Sequence, residues 1–274
     1  MTLDCEVVRT RSGAVAMRDR LTGEVMHPVV GPRVESQKLY VEAARLPERL
    51  QDRGSGPLRL LDVGLGAGSN AIEALEAAQS LGESARPLEI VSFDRSLAAL
   101  TEALRPDHAA HFGLDGSVGE AARELVQHGS FRGARTSWRL SLGSLPATLE
   151  AEAAESADVV FWDPFSPLQN PELWTVAAFQ ALHRLCRSGA TFFTYSAATA
   201  TRSALLLAGF AVGEGDITGF GKRTTQAALH AKDLSAPLGK RWLERLARSS
   251  APFPSDAPPD ALACIAACAQ FVEP

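Results

Sequence analysis

The chain has few cysteines, no long apolar run and no surplus of positive charge, and each shortage excludes a class of protein. Cys5, Cys186, Cys264 and Cys268 are scattered over 274 residues, too sparse for a disulfide framework. No stretch of about 18 apolar residues occurs, so no transmembrane helix and no membrane partner are expected. The opening residues, MTLDCEVVRTR, lack the apolar centre of a secretory signal. Reduced thiols and a cytoplasmic location are therefore expected. Lys and Arg number 27 against 32 Asp and Glu, for a net charge of -5. That balance argues against coating nucleic acid by overall charge, though not against a local basic patch. What is present is a 46% hydrophobic fraction in a chain long enough for one large domain or a domain with appendages, sufficient for a sizeable core.

Alternating apolar positions in the first thirty residues (Val7, Val8, Val15, Met17) suggest a hairpin. Residues 34–50 read as a helix, with Leu39, Ala43 and Leu46 on one stripe. Strand and helix then alternate. Strands are expected at 58–63, 88–93, 138–142, 158–162 and 190–196. Helices are expected at 69–81, 97–104, 118–128, 172–186 and 198–208, the fourth closed by Ser188-Gly189. Strands at 210–216 and 225–230 follow without a helix between them. This rhythm predicts an α/β fold, a mostly parallel seven-stranded sheet ending in an antiparallel hairpin. A further helix over 236–248, a proline-rich linker over 251–260 and a short tail helix over 261–272 complete the reading. The expected division is an extension over 1–50, a central domain over 51–232 and a helical tail over 233–274.

The most informative stretch is Leu60-Leu61-Asp62-Val63-Gly64-Leu65-Gly66-Ala67-Gly68, a strand delivered to three glycines with a helix following. Glycines permit positive φ and close approach of a ligand, and the turn lies where open α/β sheets bind ligands. The dinucleotide fingerprint fails because Ser69 stands at its last glycine, and the Gly-Lys-Ser/Thr of a phosphate loop is absent. What is left resembles the G-x-G-x-G turn of S-adenosylmethionine-dependent methyltransferases; a tight turn with no ligand is the alternative. Asp94 ends the second strand, where an acid accepts hydrogen bonds from ribose hydroxyls, or else caps the helix beginning near Ser96.

Asp163 ends the fourth strand, followed by Pro164-Phe165-Ser166-Pro167. Proline stiffens the loop, and a carboxylate there faces the same cleft as the glycines. An N-methyltransferase needs a neutral amine with its lone pair aimed at the methyl group. A carboxylate orients that amine and an aromatic ring stacks on a flat substrate. The alternative is a turn cap at Asp163 and a core role for Phe165. His108 and His111 have no third ligand nearby, so no metal site is expected, and Trp174 is expected to pack rather than stack on a base.

From Asp163 through Trp174 (DPFSPLQNPELW) the chain resembles the D-G-F-A-P-x-x-N-P-[DE]-[ML]-W segment of the MnmC-like methyltransferases. The stretch Thr191 to Ser196, Ala208-Gly209-Phe210, the turn Gly219-Phe220-Gly221-Lys222-Arg223, and Glu35-Ser36 through Tyr40 are similar to further segments of that family, in order, over about residues 27–230. The resemblance implies a Rossmann-like class I methyltransferase that uses S-adenosyl-L-methionine and methylates the 5-aminomethyl nitrogen of the tRNA wobble uridine. It implies Asp163 as the catalytic residue. It places Asp62, Gly64, Gly66, Gly68, Asn70, Asp94, Gly143 and Ser144 around the cofactor, and Glu35, Tyr40, Pro164, Phe165, Lys222 and Arg223 around the tRNA substrate. It further implies a stand-alone form of the methyltransferase, with a separate flavin-dependent oxidoreductase acting upstream. Two positions depart from the family: Pro164 stands where glycine is usual and Ser144 where aspartate is usual. A methyltransferase acting on a small-molecule amine, and a degenerate fold serving as a binding subunit, are the competing readings.

Overall fold

The computed structural model describes residues 5–10, 12–27, 30–52, 54, 56–218 and 221–272. It opens on an antiparallel pair, β1 (Cys5–Arg9) and β2 (Val15–Asp19), with Val7 opposite Met17. Met17 is buried in the main core. The helix expected over 34–50 is three pieces. α1 (Pro32–Ser36) continues as a π-helical segment, Gln37–Glu42, and α2 (Leu46–Gln51) starts afresh. Pro47 is the cause: its ring has no N–H and collides with the carbonyl four residues back in a continuing helix. The chain turns instead through Arg45, at φ 50.

The alternating region follows as β3 (Leu58–Val63), α3 (Ser69–Ser80), β4 (Leu88–Asp94), α4 (Ala98–Ala103), α5 (Gly116–His128), β5 (Ser130–Arg132), β6 (Thr136–Leu142), α6 (Ala147–Glu150), β7 (Ala157–Trp162), α7 (Val176–His183), β8 (Cys186–Thr194), α8 (Thr199–Leu207), β9 (Ala211–Ile217) and β10 (Arg223–Ala228). They build one sheet in the order β5-β6-β4-β3-β7-β8-β10-β9. The five strands from β6 to β8 are parallel, and β10 runs antiparallel to both β8 and β9. The sheet has eight strands where seven were expected. The addition, β5, is a three-residue antiparallel edge strand on β6, too short to leave a period in the sequence.

The expected helix over 172–186 is also corrected. Pro171–Trp174 is a separate 3-10 turn, and Thr175 caps α7 by accepting a hydrogen bond from the Ala178 amide at 3.1 Å. The helix ends at His183, and Cys186 already belongs to β8. Ser188 and Gly189 are an exposed irregularity in the pairing of β8 with β7, with Gly189 at φ 80, rather than a helix stop.

The central strands β3 and β7 are buried almost throughout, as expected of a parallel sheet covered on both faces. Their period of two sorts the side chains. Leu60, Val159 and Phe161 join the core that holds α3 and α5, while Leu61, Val63, Val160 and Trp162 join the core that holds α7 and α8. Each such large apolar side chain contributes about 1.5–3 kcal/mol when fully buried. The tail helices α9 (Lys240–Leu246), α10 (Ala261–Ala266) and α11 (Ala269–Val272) close the second core, where Trp242 stacks on Phe271 with ring centroids 6.1 Å apart. Among the described residues no helix is long and apolar enough to cross a membrane.

Strand order reverses between β3, whose successors run to one side, and β7, which lies on the other. This switch point places the ends of β3 and β7 side by side at the ligand-binding edge of the sheet. The Asp163 amide donates to the Val63 carbonyl there at 2.8 Å.

Candidate active site

A cavity of about 450 Å3 opens at that edge. Its floor is the turn after β3. Gly64 has φ 90, and a Cβ on it would lie 2.6 Å from the Asp163 carbonyl oxygen and 2.7 Å from Pro164 N. The two strand ends thus touch through backbone, and glycine is the residue that lets them. Gly66 and Gly68 also have positive φ, at 52 and 89.

Asp94, at the end of β4, binds this turn. Its Oδ2 accepts the Gly66 amide at 2.9 Å, and its Oδ1 accepts the Arg95 and Ser96 amides at 2.6 and 3.1 Å. Burial raises its pKa, and these three amides work against the rise. A carboxylate has lone pairs beyond three amides, and Asp94 faces the cavity.

Asp163 closes the other side. Its Oδ2 accepts from Asn70 Nδ2 at 2.8 Å and lies 3.5 Å from His27 Nε2. Burial raises the pKa of this carboxyl, while His27, Asn70 and Tyr40 draw it down. The Tyr40 hydroxyl is near enough to feel that charge but makes no hydrogen bond of regular geometry. Burial and the Asp163 charge hold its phenol well above the ordinary value. The loop beyond is pinned at successive residues. Tyr195 Oη donates to the Pro164 carbonyl and Trp174 Nε1 to the Phe165 carbonyl, both at 3.0 Å. The Ser166 amide and hydroxyl donate to the two Glu24 oxygens at 2.9 Å. Trp174 is buried against Tyr195, a packing role as expected.

The structure brings Gly64, Gly66, Asn70, Asp94, Glu35, Tyr40, Asp163, Pro164 and Phe165 into one cavity wall. Asp62, Gly68, Gly143, Ser144, Lys222 and Arg223 do not line it. Asp62 is buried one layer down, accepting from Ser92 Oγ at 2.7 Å. Gly68 begins α3 with Ile72 and Leu100 beside it. Ser144 is exposed, and Leu145 after it takes the place in the wall. Lys222 and Arg223 are exposed, and Arg223 lies 3.5 Å from Glu214. Gly219 and Phe220 of the same motif lie outside the described residues. Residues that sequence reasoning missed are Glu24 and His27 from the N-terminal extension and Tyr195 after β8. No spacing flags them, because Glu24 and Ser166 meet across 142 residues of chain.

Comparison with known proteins assigns the class. A family model described as S-adenosyl-L-methionine-dependent methyltransferase matches residues 120–231. The fold matches the crystal structure of MnmC2 from Aquifex aeolicus with a TM-score of 0.73 at 26% identity, covering 96% of this chain and 85% of that one. The chain is an S-adenosylmethionine-dependent methyltransferase of Rossmann-like α/β fold. Within that class it is similar to the tRNA 5-methylaminomethyl-2-thiouridine biosynthesis bifunctional protein MnmC of Methylibium petroleiphilum. Identity is 31% over 230 residues, 80% of this chain and 34% of that protein. The protein of the same name from Pseudomonas aeruginosa is 29% identical over 221 residues, 77% of this chain and 33% of its own length. The chain therefore spans about a third of the curated relatives it matches, and the resemblance read from the motifs is borne out.

The cavity residues fit the methyl donor. Gly64 and Gly66 present bare backbone to the cavity, Asp94 presents a carboxylate, and the buried Oδ1 of Asn70 has no hydrogen-bond partner. An unpartnered buried acceptor at a cavity wall is costly unless a ligand supplies a donor.

Proposed function

We propose that this methyltransferase acts on a primary amine, and that the amine is the 5-aminomethyl group of the wobble uridine in tRNA. The observation that carries the reading is the placement of Asp163. It is a nearly buried carboxylate at the end of β7, facing the cavity, with Asn70 on its Oδ2 and the half-buried Phe165 two residues on. Gly64, Gly66, Asn70 and Asp94 would hold the cofactor, which supplies the methyl group as an electrophile when bound. Asp163 accepts the hydrogens of the amine, orients its lone pair and takes up its proton. Phe165 offers a face for a flat base. The names of the MnmC relatives and the MnmC2 likeness support tRNA as the acceptor. A separate flavin-dependent oxidoreductase that exposes the amine beforehand belongs to the same proposal, as does a cytoplasmic location.

One observation favours a small-molecule amine instead. Arg223, expected on phosphate, is partnered by Glu214, which leaves exposed Lys222 with no ion pair among the described residues to carry that patch. The two readings separate by assay. The protein is incubated with labelled cofactor and tRNA bearing 5-aminomethyl-2-thiouridine, and the nucleosides are analysed by mass spectrometry. One added methyl on the modified uridine is expected. Asp163→Asn should lower kcat by about 10²-fold, the scale of a lost general base, with cofactor affinity nearly unchanged. Labelling of free amines but never of tRNA would favour the metabolite reading.

A further inference from the structure

His27 is a titratable cavity residue that the scheme above leaves without a task. Its ring stands between two carboxylates from distant elements: Nε2 is 3.5 Å from Asp163 Oδ2, and Nδ1 is 3.4 Å from Glu35 Oε2. Its side chain is 14% exposed, and its backbone has φ 53, a conformation that a residue other than glycine adopts at some cost. The other titratable groups lining the cavity are Glu24 from its own segment, Tyr40 from the π-helical segment, Asp94 at the end of β4, Arg95 beside it and Tyr195 after β8. With Glu35 on Nδ1, the neutral ring carries its proton there and turns the Nε2 lone pair toward Asp163.

We infer that His27 is the proton acceptor behind Asp163: the proton of the incoming ammonium passes to the Asp163 carboxylate and on to Nε2 of His27, while Glu35 holds the Nδ1 proton. This rests on the amine-methylating reading above. An N–H bond of the ammonium breaks and leaves its electron pair on nitrogen. An O–H bond forms on Asp163 and breaks again. An Nε2–H bond forms, and the ring becomes an imidazolium flanked by two carboxylates. The need for the second group is one of matching. An ordinary aspartate titrates near 3.9 and a lysine-like ammonium near 10.4, so a carboxylate alone is a poor resting place for the proton. Imidazole lies nearer. Burial lowers the pKa of His27, but the Asp163 charge and the Glu35 hydrogen bond and charge outweigh it, so the net shift is upward from 6.5. His27 acts through Asp163 and is a positioning residue for the proton.

The sign of the pH dependence follows. Below its raised pKa the ring already carries the proton and cannot accept another, so kcat/KM falls on the acid side with a limb above 6.5. The test joins a ring-nitrogen NMR titration of His27 in the free protein to the pH profile of methyl transfer. The expected result is that the limb and the titration coincide. His27→Gln lowers kcat by about 10²-fold and abolishes the limb. Glu35→Gln moves both limb and titration to lower pH, because a charge that raises the ring's pKa is gone. If His27→Gln fails to fold, the wild-type titration and Glu35→Gln decide. A ring titrating below 6.5, a limb that persists in His27→Gln, or a limb that stays put in Glu35→Gln overturns the relay while leaving the methylation reading intact. A wild type that methylates no amine overturns both.

Discussion

Gly64 shows how much of the site hangs on one missing methyl group. Its φ of 90 is costly for any residue with a Cβ, about 1–3 kcal/mol. In addition, the new atom would meet the backbone of Asp163 and Pro164, which cannot swing aside as a side chain can. Gly66 is the internal control. Its φ of 52 is in the left-handed region that alanine tolerates better, and its Cβ would crowd the Met26 sulfur, at 3.1 Å on a flexible chain, with the nearest backbone atom, the Gly64 carbonyl oxygen, 4.0 Å away. Gly64→Ala is therefore expected to lower the melting temperature more than Gly66→Ala, and to lose both cofactor affinity and turnover by displacing Asp163. Paired thermal melts and calorimetry check this; equal losses in the two variants would mean that the Asp163 peptide gives way. The glycine turn was legible in the sequence because its signal is local, three glycines between a strand and a helix. So was Asp163, at a strand end followed by prolines. The contact between them was not legible, because it needs the strand order of the sheet.

At the scale of elements, β3, β4 and β6 are joined beneath the turn by a polar row. Trp138 Nε1 donates to Ser92 Oγ at 2.8 Å, and Ser92 Oγ donates to Asp62 Oδ2 at 2.7 Å. Asp62 Oδ1 is buried without a partner. Burial pushes this carboxyl up to about 7, helped by Asp163 and Asp94 and opposed by Ser92. The folded protein thus holds the proton up to about pH 7, whereas the unfolded chain releases it near 3.8. Where the folded state binds more protons, stability falls as pH rises. Asp62 contributes stability below pH 4 and loses it progressively up to about pH 7, on the order of 1.4 kcal/mol per pH unit at most. Asp62→Asn keeps the acceptor for Ser92 and removes the titration. Relative to wild type, its unfolding free energy should rise between pH 5 and pH 8, measured by urea melts; parallel curves across that range would show that Asp62 is already ionised in the fold. The family resemblance put Asp62 with the cofactor, and burial within the sheet is a property that a single strand cannot display. The same limit explains the misread helix over 172–186. Leu173, Val176, Phe179, Leu182 and Cys186 are all buried, so the apolar stripe runs unbroken across a 3-10 turn, a helix and the start of a strand.

At the scale of the whole molecule, the N-terminal extension is part of the cavity wall rather than an appendage to it. Met17, Glu24, Met26 and His27 all line the cavity formed by the strand ends. Its firmest hold on the Asp163 loop is Glu24, which takes both the amide and the hydroxyl of Ser166 at 2.9 Å. Hydrogen bonds to a charged group contribute about 1.5–3 kcal/mol each when shielded from water. Ser166 is half-buried, so the lower end of that range applies. Glu24→Ala should then free the far end of the loop while Tyr195 still holds Pro164 and Trp174 still holds Phe165. Hydrogen exchange at the Ser166 amide should speed up by about tenfold or more, since 1.4 kcal/mol is a factor of ten in opening. The cofactor side of the cavity, built from Gly64, Gly66 and Asp94, does not touch Glu24 through any of these bonds, so cofactor affinity should hold. KM for the acceptor should rise, because the loop presents Asp163 and Phe165 to the substrate. If exchange at Ser166 is unchanged, the extension does not brace the loop. If exchange accelerates but KM stays the same, the loop reaches its working position without help from the extension.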